Sequence, residues 1–259
     1  MEGRTVIITG GASGIGRSVA LLCAELGARV VVADVDREGA EGVAQEALEH
    51  GAQRSMGLRC DVTAEDQVEA VFATSRQAFG APHGVFANAG IDVGGIEHEL
   101  PYETWARVLR TNLDGVFLTC KHALRAMIDA GQRGSVVCTS SPAAFVAFAA
   151  GGTGAYSASK AGVSALVRSL ALDYAPHGIR VNAVVPGATE TPLMWANVPD
   201  DQMQQMRDQV RAEVPLGRLA DPAEVARAVV WLLSDAASYV TGSHLVCDGG
   251  ILAKGSISF

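Results

Sequence analysis

The chain has 259 residues, 49% of them hydrophobic, enough to fill one α/β core rather than two small ones, so a single domain over 1–259 is expected. Its 28 acidic residues outnumber the 20 Lys and Arg, and the basic residues are scattered, which argues against a nucleic-acid face. The N-terminal apolar run is too short for a signal peptide, and the five cysteines (Cys23, Cys60, Cys120, Cys138, Cys247) form no metal-ligand pattern. A cytoplasmic protein without a metal, its thiols serving as buried fillers, is therefore expected.

Arg4–Thr9 (RTVIIT) reads as a strand and runs into a glycine-rich turn, followed by a helix over Gly14–Leu26 that Gly27 closes. Gly10, Gly14 and Gly16 let the backbone turn sharply and approach a ligand closely. With Ser13 and Ile15 they form a candidate pyrophosphate cradle at a helix N-terminus. The second strand, Arg29–Ala33, ends at Asp34, eighteen residues beyond Gly16, where a carboxylate can accept both hydroxyls of an adenosine ribose. A 2′-phosphate would meet that negative charge, and Val35 follows where Arg or Lys would be wanted. NAD is expected over NADP, with Arg37 softening the preference. Asp36 is the better-placed N-cap of the next helix, Arg37–His50.

Further along, Met56–Arg59 reads as extended, Ala64–Phe79 as helical, Gly84–Ala87 as extended and 102–130 as a long helical zone. Ser135–Thr139 (SVVCT) is a fifth strand, Ala155–Tyr174 a helix and Arg180–Val185 a sixth strand. A short amphipathic helix over Asp200–Glu213, a helix over Asp221–Ser234 with Pro222 in its first turn, and a last strand over His244–Val246 follow. Apolar strands separated by helices predict a doubly wound Rossmann fold, a seven-stranded parallel sheet with helices on both faces. The tail beyond Gly250 carries no element and is a candidate for packing on a neighbouring subunit.

From Gly134 to Ser159, 26 residues carry no charge, long enough for a membrane span, but Pro142, Gly151, Gly152 and Gly154, with Thr139, Ser140, Ser141, Thr153, Ser157 and Ser159 spread among them, exclude a lipid-facing helix. At its far end Tyr156 and Lys160 lie four apart on a helix and emerge on one face. An ammonium beside a phenol is expected to lower the phenol's pKa towards the range of general acid/base work. The absence of charge predicts a dry wall that strengthens this coupling.

The glycine spacing is G-x-x-x-G-x-G. Cys60-Asp61-Val62, Asn88-Ala89-Gly90, Asn112 in TNLDGVF, Ser141, Tyr156-Ser-Ala-Ser-Lys160, Pro186-Gly187 with Thr191, and stretches at Tyr239 and Asp248 follow in order. In these motifs the chain resembles the short-chain dehydrogenase/reductase family, in its compact branch of about 250 residues, over nearly its whole length. The resemblance implies hydride transfer between NAD(H) and a secondary alcohol or ketone. Tyr156 would be the general acid/base and Lys160 would hold the nicotinamide ribose. Ser141, preferred to its neighbour Ser140, would bind the substrate oxygen, and Asn112 would anchor a relay water.

It further implies that Asp61 and Val62 bracket the adenine, that Asn88, Ala89 and Gly90 support the cofactor channel beside Pro186 and Gly187, and that Thr191 binds the carboxamide. It also implies a homotetramer pairing the helices near 102–130 and 155–175. The fifteen residues from Ser141 to Tyr156 exceed the family's usual spacing by two. Substrate choice is expected from Val93–Ile96, Ala143–Gly154 and Ala188–Val214. The last bears Leu193, Met194, Trp195, Met203 and Met206, either a lid or packing for the short helix. These loops hold no basic cluster, so the reading is a neutral, partly apolar alcohol or ketone. Two alternatives stand beside it: an NADPH-dependent ketoacyl or carbonyl reductase, and a nucleotide-sensing protein without catalysis.

Overall fold

The computed structural model describes residues 1–148 and 151–254. Its centre is one seven-stranded sheet, all parallel, built from β1 (Thr5–Thr9), β2 (Arg29–Asp34), β3 (Arg54–Arg59), β4 (Gly84–Ala87), β5 (Gly134–Thr139), β6 (Ile179–Pro186) and β7 (His244–Cys247). The spatial order is β3-β2-β1-β4-β5-β6-β7, so the direction of winding reverses between β1 and β4. Open parallel sheets bind ligands outside the carboxyl ends of the strands at such a reversal. The expected Rossmann architecture is present. β3 begins two residues earlier than its sequence pattern predicts and β7 ends one later, because both are edge strands whose ends lack a continuous apolar signal.

Alternation within the strands divides the core. Ile7, Val31, Val85, Val136 and Val181 face one layer, containing α3 (Glu65–Phe79), α5 (Gly115–Asp129) and α6 (Gly154–Tyr174). Val6, Ile8, Val30, Val32, Phe86, Val137 and Val184 face the other, containing α1 (Gly14–Glu25), α2 (Arg37–Glu49) and α9 (Pro222–Leu233). Strands buried on both faces explain the lack of polar alternation in TVIIT and RVVVA.

The helix starts follow their local chemistry. The Asp36 carboxylate accepts from the Gly39 N–H and caps α2. Asp221 accepts from the Ala223 N–H and Glu224 returns to the Asp221 N–H, a capping box opening α9 with Pro222 in its first turn. The expected long zone at 102–130 is helical but not uniform. α4 (Tyr102–Leu109) and α5 are joined by one π turn, Arg110–Asp114, which carries Asn112. The predicted 200–213 helix is a short 3₁₀ turn, Asp200–Gln202, leading into α8 (Met203–Glu213), with α7 (Pro192–Trp195) before it.

Cys23, Cys60, Cys120 and Cys138 are buried thiols, as expected, and Cys247 is half-buried. Among the described residues no helix is long and apolar enough to cross a membrane, and no group of three His, Cys, Asp or Glu could hold a metal ion. Of the uncharged run, Ala149 and Ala150 lie outside the described residues, as do residues 255–259 of the tail.

Candidate active site

The carboxyl ends of β1, β4 and β5 are tied together by one side chain. Asn88 Nδ2 donates to the Gly10 carbonyl (3.0 Å), the Asn88 N–H donates to Thr9 Oγ1 (3.1 Å), and Thr139 Oγ1 donates to Asn88 Oδ1 (3.0 Å). This fixes the glycine turn against the sheet. A Cβ on Gly16 would collide with the Gly10 carbonyl oxygen, and one on Gly10, at φ 64°, would lie 2.7 Å from Ala89 Cα. No larger residue fits either place.

Ser13 precedes α1 without capping it through its side chain, and the first turn of α1 holds no acidic residue. The N–H groups and positive dipole end of the helix are thus left for an anion. Asp34 Oδ2 accepts from the Ala12 N–H (3.0 Å) and Oδ1 from the Asp36 N–H (3.1 Å), so the carboxylate closing β2 also holds the glycine turn in place. This cradle fits the pyrophosphate and ribose of a dinucleotide.

Other expected cofactor residues lie around the same edge. Asp61 Oδ1 accepts from both the N–H and the hydroxyl of Thr63, while the Val62 side chain is buried and leaves room only for a glycine at 115. Gly187, after Pro186, packs against the backbone of Asp248, where a Cβ would sit 2.6 Å from Asp248 Cα. Thr191 Oγ1 accepts from the Met194 N–H, capping α7, and its Cβ lies 3.3 Å from where a Cβ on Gly14 would be.

At the reacting end the two serines separate. Ser140 is 1% exposed and bonds to Ser164 Oγ (2.7 Å) and the Lys160 carbonyl (3.3 Å), occupied with holding β5 to α6. Ser141 Oγ accepts from the Ala143 N–H (3.2 Å) and is near enough to Tyr156 to favour its ionised phenol. Ser141 is therefore the serine that reaches Tyr156. Lys160 Nζ is buried, donates to the Thr139 carbonyl (2.9 Å), and stands 5.6 Å from the centre of the Tyr156 ring. Above it Gly90 is tight, since a Cβ there would be 3.7 Å from Lys160 Nζ and 3.2 Å from Asn112 Oδ1.

The expected lowering of the phenol pKa by the ammonium is not what this geometry produces. Burial pushes Tyr156 up to about 12, opposed by the nearby Ser141 hydroxyl and reinforced by the Asp92 charge. Burial also pulls Lys160 down to about 8, against the favourable charge of Asp92. Desolvation is the largest influence on both groups, and it disfavours the charged form of each.

Asn112, fully buried on the π turn, grips Ile91 from both sides. Its Oδ1 accepts from the Ile91 N–H and its Nδ2 donates to the Ile91 carbonyl, each at 2.8 Å, while Nδ2 also reaches Ser159 Oγ (3.2 Å). The extra residue of a π turn lets the amide point back across the site rather than along the helix.

Three loops meet over this floor. The Gly95 N–H donates to the Gly152 carbonyl (2.9 Å) and the Gly154 N–H to Glu97 Oε1 (3.0 Å), which pins the stretch before Tyr156 to the loop after β4. Asn197 Nδ2, beyond α7, donates to the Asp92 carbonyl (2.7 Å). The 189–220 segment is closed at its base by the Thr189–Ala220 bridge. Glu190 holds it further, accepting from Trp195 Nε1 (2.9 Å) and pairing with Arg207, whose guanidinium also covers the Trp195 ring at 5.2 Å. Asp92, Glu97, Glu190 and Asn197 went unread in the sequence because isolated polar residues in loops carry no spacing signal.

The sequence model of the family described as "Enoyl-(Acyl carrier protein) reductase" matches residues 10–252. The chain is 47% identical over 251 residues to a cis-4-hydroxycyclohexanecarboxylate dehydrogenase of Sinomonas cyclohexanicum, covering 96% of this chain and 97% of that one. It is 41% identical to a 2,5-dichloro-2,5-cyclohexadiene-1,4-diol dehydrogenase of Sphingobium indicum, covering 98% of each. The crystal structure of levodione reductase superposes with a TM-score of 0.94 at 34% identity, covering 98% of this chain and all of that one. With its seven-stranded parallel sheet, its glycine turn and this similarity along nearly its full length, the chain belongs to the short-chain dehydrogenase/reductase family and is an oxidoreductase.

Proposed function

We propose that this protein, as one dinucleotide-binding and catalytic domain over 1–259, oxidises a cyclic secondary alcohol to the ketone, or the reverse, with NAD(H). The observation that carries the reading is the meeting of Ser141, Tyr156 and Lys160 at the carboxyl end of β5, beside a glycine turn built for a pyrophosphate. Bound nicotinamide supplies the hydride acceptor or donor. Ser141 holds the substrate oxygen within reach of Tyr156. Tyr156 gives its proton to that oxygen in ketone reduction and takes one from it in alcohol oxidation. Lys160, fixed by the Thr139 carbonyl, places its ammonium beside the reacting face for the ribose hydroxyls. Asn112 positions Ile91 and thereby the loop above the site.

Gly10, Ser13, Gly14, Ile15 and Gly16 hold the pyrophosphate, Asp61 and Val62 flank the adenine, and Asn88, Ala89, Gly90, Pro186, Gly187 and Thr191 line the rest of the cofactor path. Asp34 supports NAD over NADP, since its carboxylate stands where a 2′-phosphate would lie and no Arg or Lys adjoins it in sequence. The similarity to dehydrogenases named for hydroxylated six-membered rings supports a cyclic substrate. Exposed Phe117 and Leu172, on α5 and α6, support pairing of these helices in a cytoplasmic homotetramer. Initial rates with cyclohexanol test the reading. NAD should exceed NADP, and Tyr156→Phe should abolish turnover while NADH binding, read by fluorescence, stays nearly intact. Retained turnover would overturn the assignment of Tyr156.

A further inference from the structure

Asp92 is an acid on the loop after β4, where Asn197 of the 189–220 segment meets that loop. Its backbone is held on both sides, by the double grip of Asn112 on Ile91 and by the bond from Asn197 to its carbonyl. It lies two residues beyond Gly90, which sits directly above Lys160 Nζ. Its carboxylate is half-buried, yet among the described residues it accepts no hydrogen bond and joins no ion pair. That leaves a negative acceptor, costly to bury, without a protein donor. Its charge raises the pKa of both Tyr156 and Lys160.

The basic group beside the mouth is already engaged, since Arg207 is paired with Glu190 and stacked on Trp195. Glu97 faces the Gly154 N–H. Among the described residues, a ligand entering here therefore meets a carboxylate that lacks a donor, with Lys160 beneath it bonded to the Thr139 carbonyl and Arg207 paired with Glu190. An alcohol bearing a second hydroxyl satisfies Asp92, whereas one bearing a carboxylate is repelled.

Building on the secondary-alcohol reading above, we propose that Asp92 determines substrate specificity by accepting a hydrogen bond from a second hydroxyl, remote from the reacting carbinol. It thereby selects neutral diols or hydroxyketones over carboxylated alcohols.

The test compares kcat/KM with NAD for cyclohexanol, cyclohexane-1,4-diol and 4-hydroxycyclohexanecarboxylate in the wild type, Asp92→Ala and the near-isosteric Asp92→Asn. In Asp92→Ala the diol-to-cyclohexanol ratio should fall on the order of 10- to 100-fold, mostly through KM, the usual size for a lost charge-assisted hydrogen bond. In both variants the carboxylate-to-cyclohexanol ratio should rise about tenfold or more as like-charge repulsion disappears. Calorimetric binding of the diol to Tyr156→Phe protein carrying NAD, with and without Asp92→Ala, reads the same preference without turnover. Ratios that all stay within about twofold of wild type would overturn the role of Asp92 and leave the secondary-alcohol reading intact. A wild type that oxidises none of the three would overturn that reading and this one with it.

Discussion

Replacing Lys160 by methionine removes a charge that the fold buries and keeps most of the side-chain volume. The Lys160 ammonium is held down from 10.5 to about 8, chiefly by desolvation, and the residue is 3% exposed. A lysine whose pKa is lower in the folded state binds fewer protons there than when unfolded, so stability must rise as pH increases from about 8 to 10.5. This lowering to about 8 corresponds to a penalty of about 3 kcal/mol near pH 7, falling to about 1 kcal/mol near pH 9.5.

Urea unfolding of the cofactor-free wild type and Lys160→Met, at equal protein concentration, isolates this contribution. Loss of the bond to the Thr139 carbonyl offsets all pH values alike and cancels in the slope. Tyr156, raised in the fold, contributes stability that is lost only as pH passes from 10 towards 12, and it is present in both proteins. The wild type should therefore gain about 2 kcal/mol on Lys160→Met between about pH 7 and 9.5. A stability difference that is flat across this window would refute the claim that Lys160 is buried at a cost.

Two further outcomes follow from the same geometry. Asn112→Ala removes three hydrogen bonds and strands the Ile91 N–H and carbonyl, so unfolding free energy should drop by about 2–5 kcal/mol, and a loss under about 1 kcal/mol would contradict the grip on Ile91. Because Tyr156 is pushed up and stays protonated near neutrality, kcat/KM for alcohol oxidation should rise into the alkaline range while that for ketone reduction falls there. Coincident profiles would count against Tyr156 as the proton carrier.

Much of this was legible in the sequence where the backbone itself imposes a residue. Gly10 and Gly16 admit no Cβ, two-sided burial leaves TVIIT without polar alternation, and Asp36 and Asp221 cap helices with short side chains at fixed offsets. The choice of Ser141 over Ser140 also follows from local geometry, since successive residues leaving β5 point to opposite sides and only one reaches Tyr156. The π turn was not legible, because one residue of excess in a helical zone of nearly thirty barely disturbs its periodicity.

The charge balance of the site shows why spacing alone misleads. Tyr156 and Lys160 do share a face of α6, as four-residue spacing requires, but spacing says nothing about desolvation, which here moves the phenol up and the ammonium down. The uncharged stretch that delivers Ser141 and Tyr156 does not make the site free of ions, because Asp92 arrives from the loop after β4, and Gly95–Gly152 and Asn197 bind that loop to its neighbours. A carboxylate so placed disfavours the phenolate and favours the ammonium. The charge that selects the substrate would then also hold Tyr156 in its proton-bearing form, coupling specificity to the direction in which the proton moves.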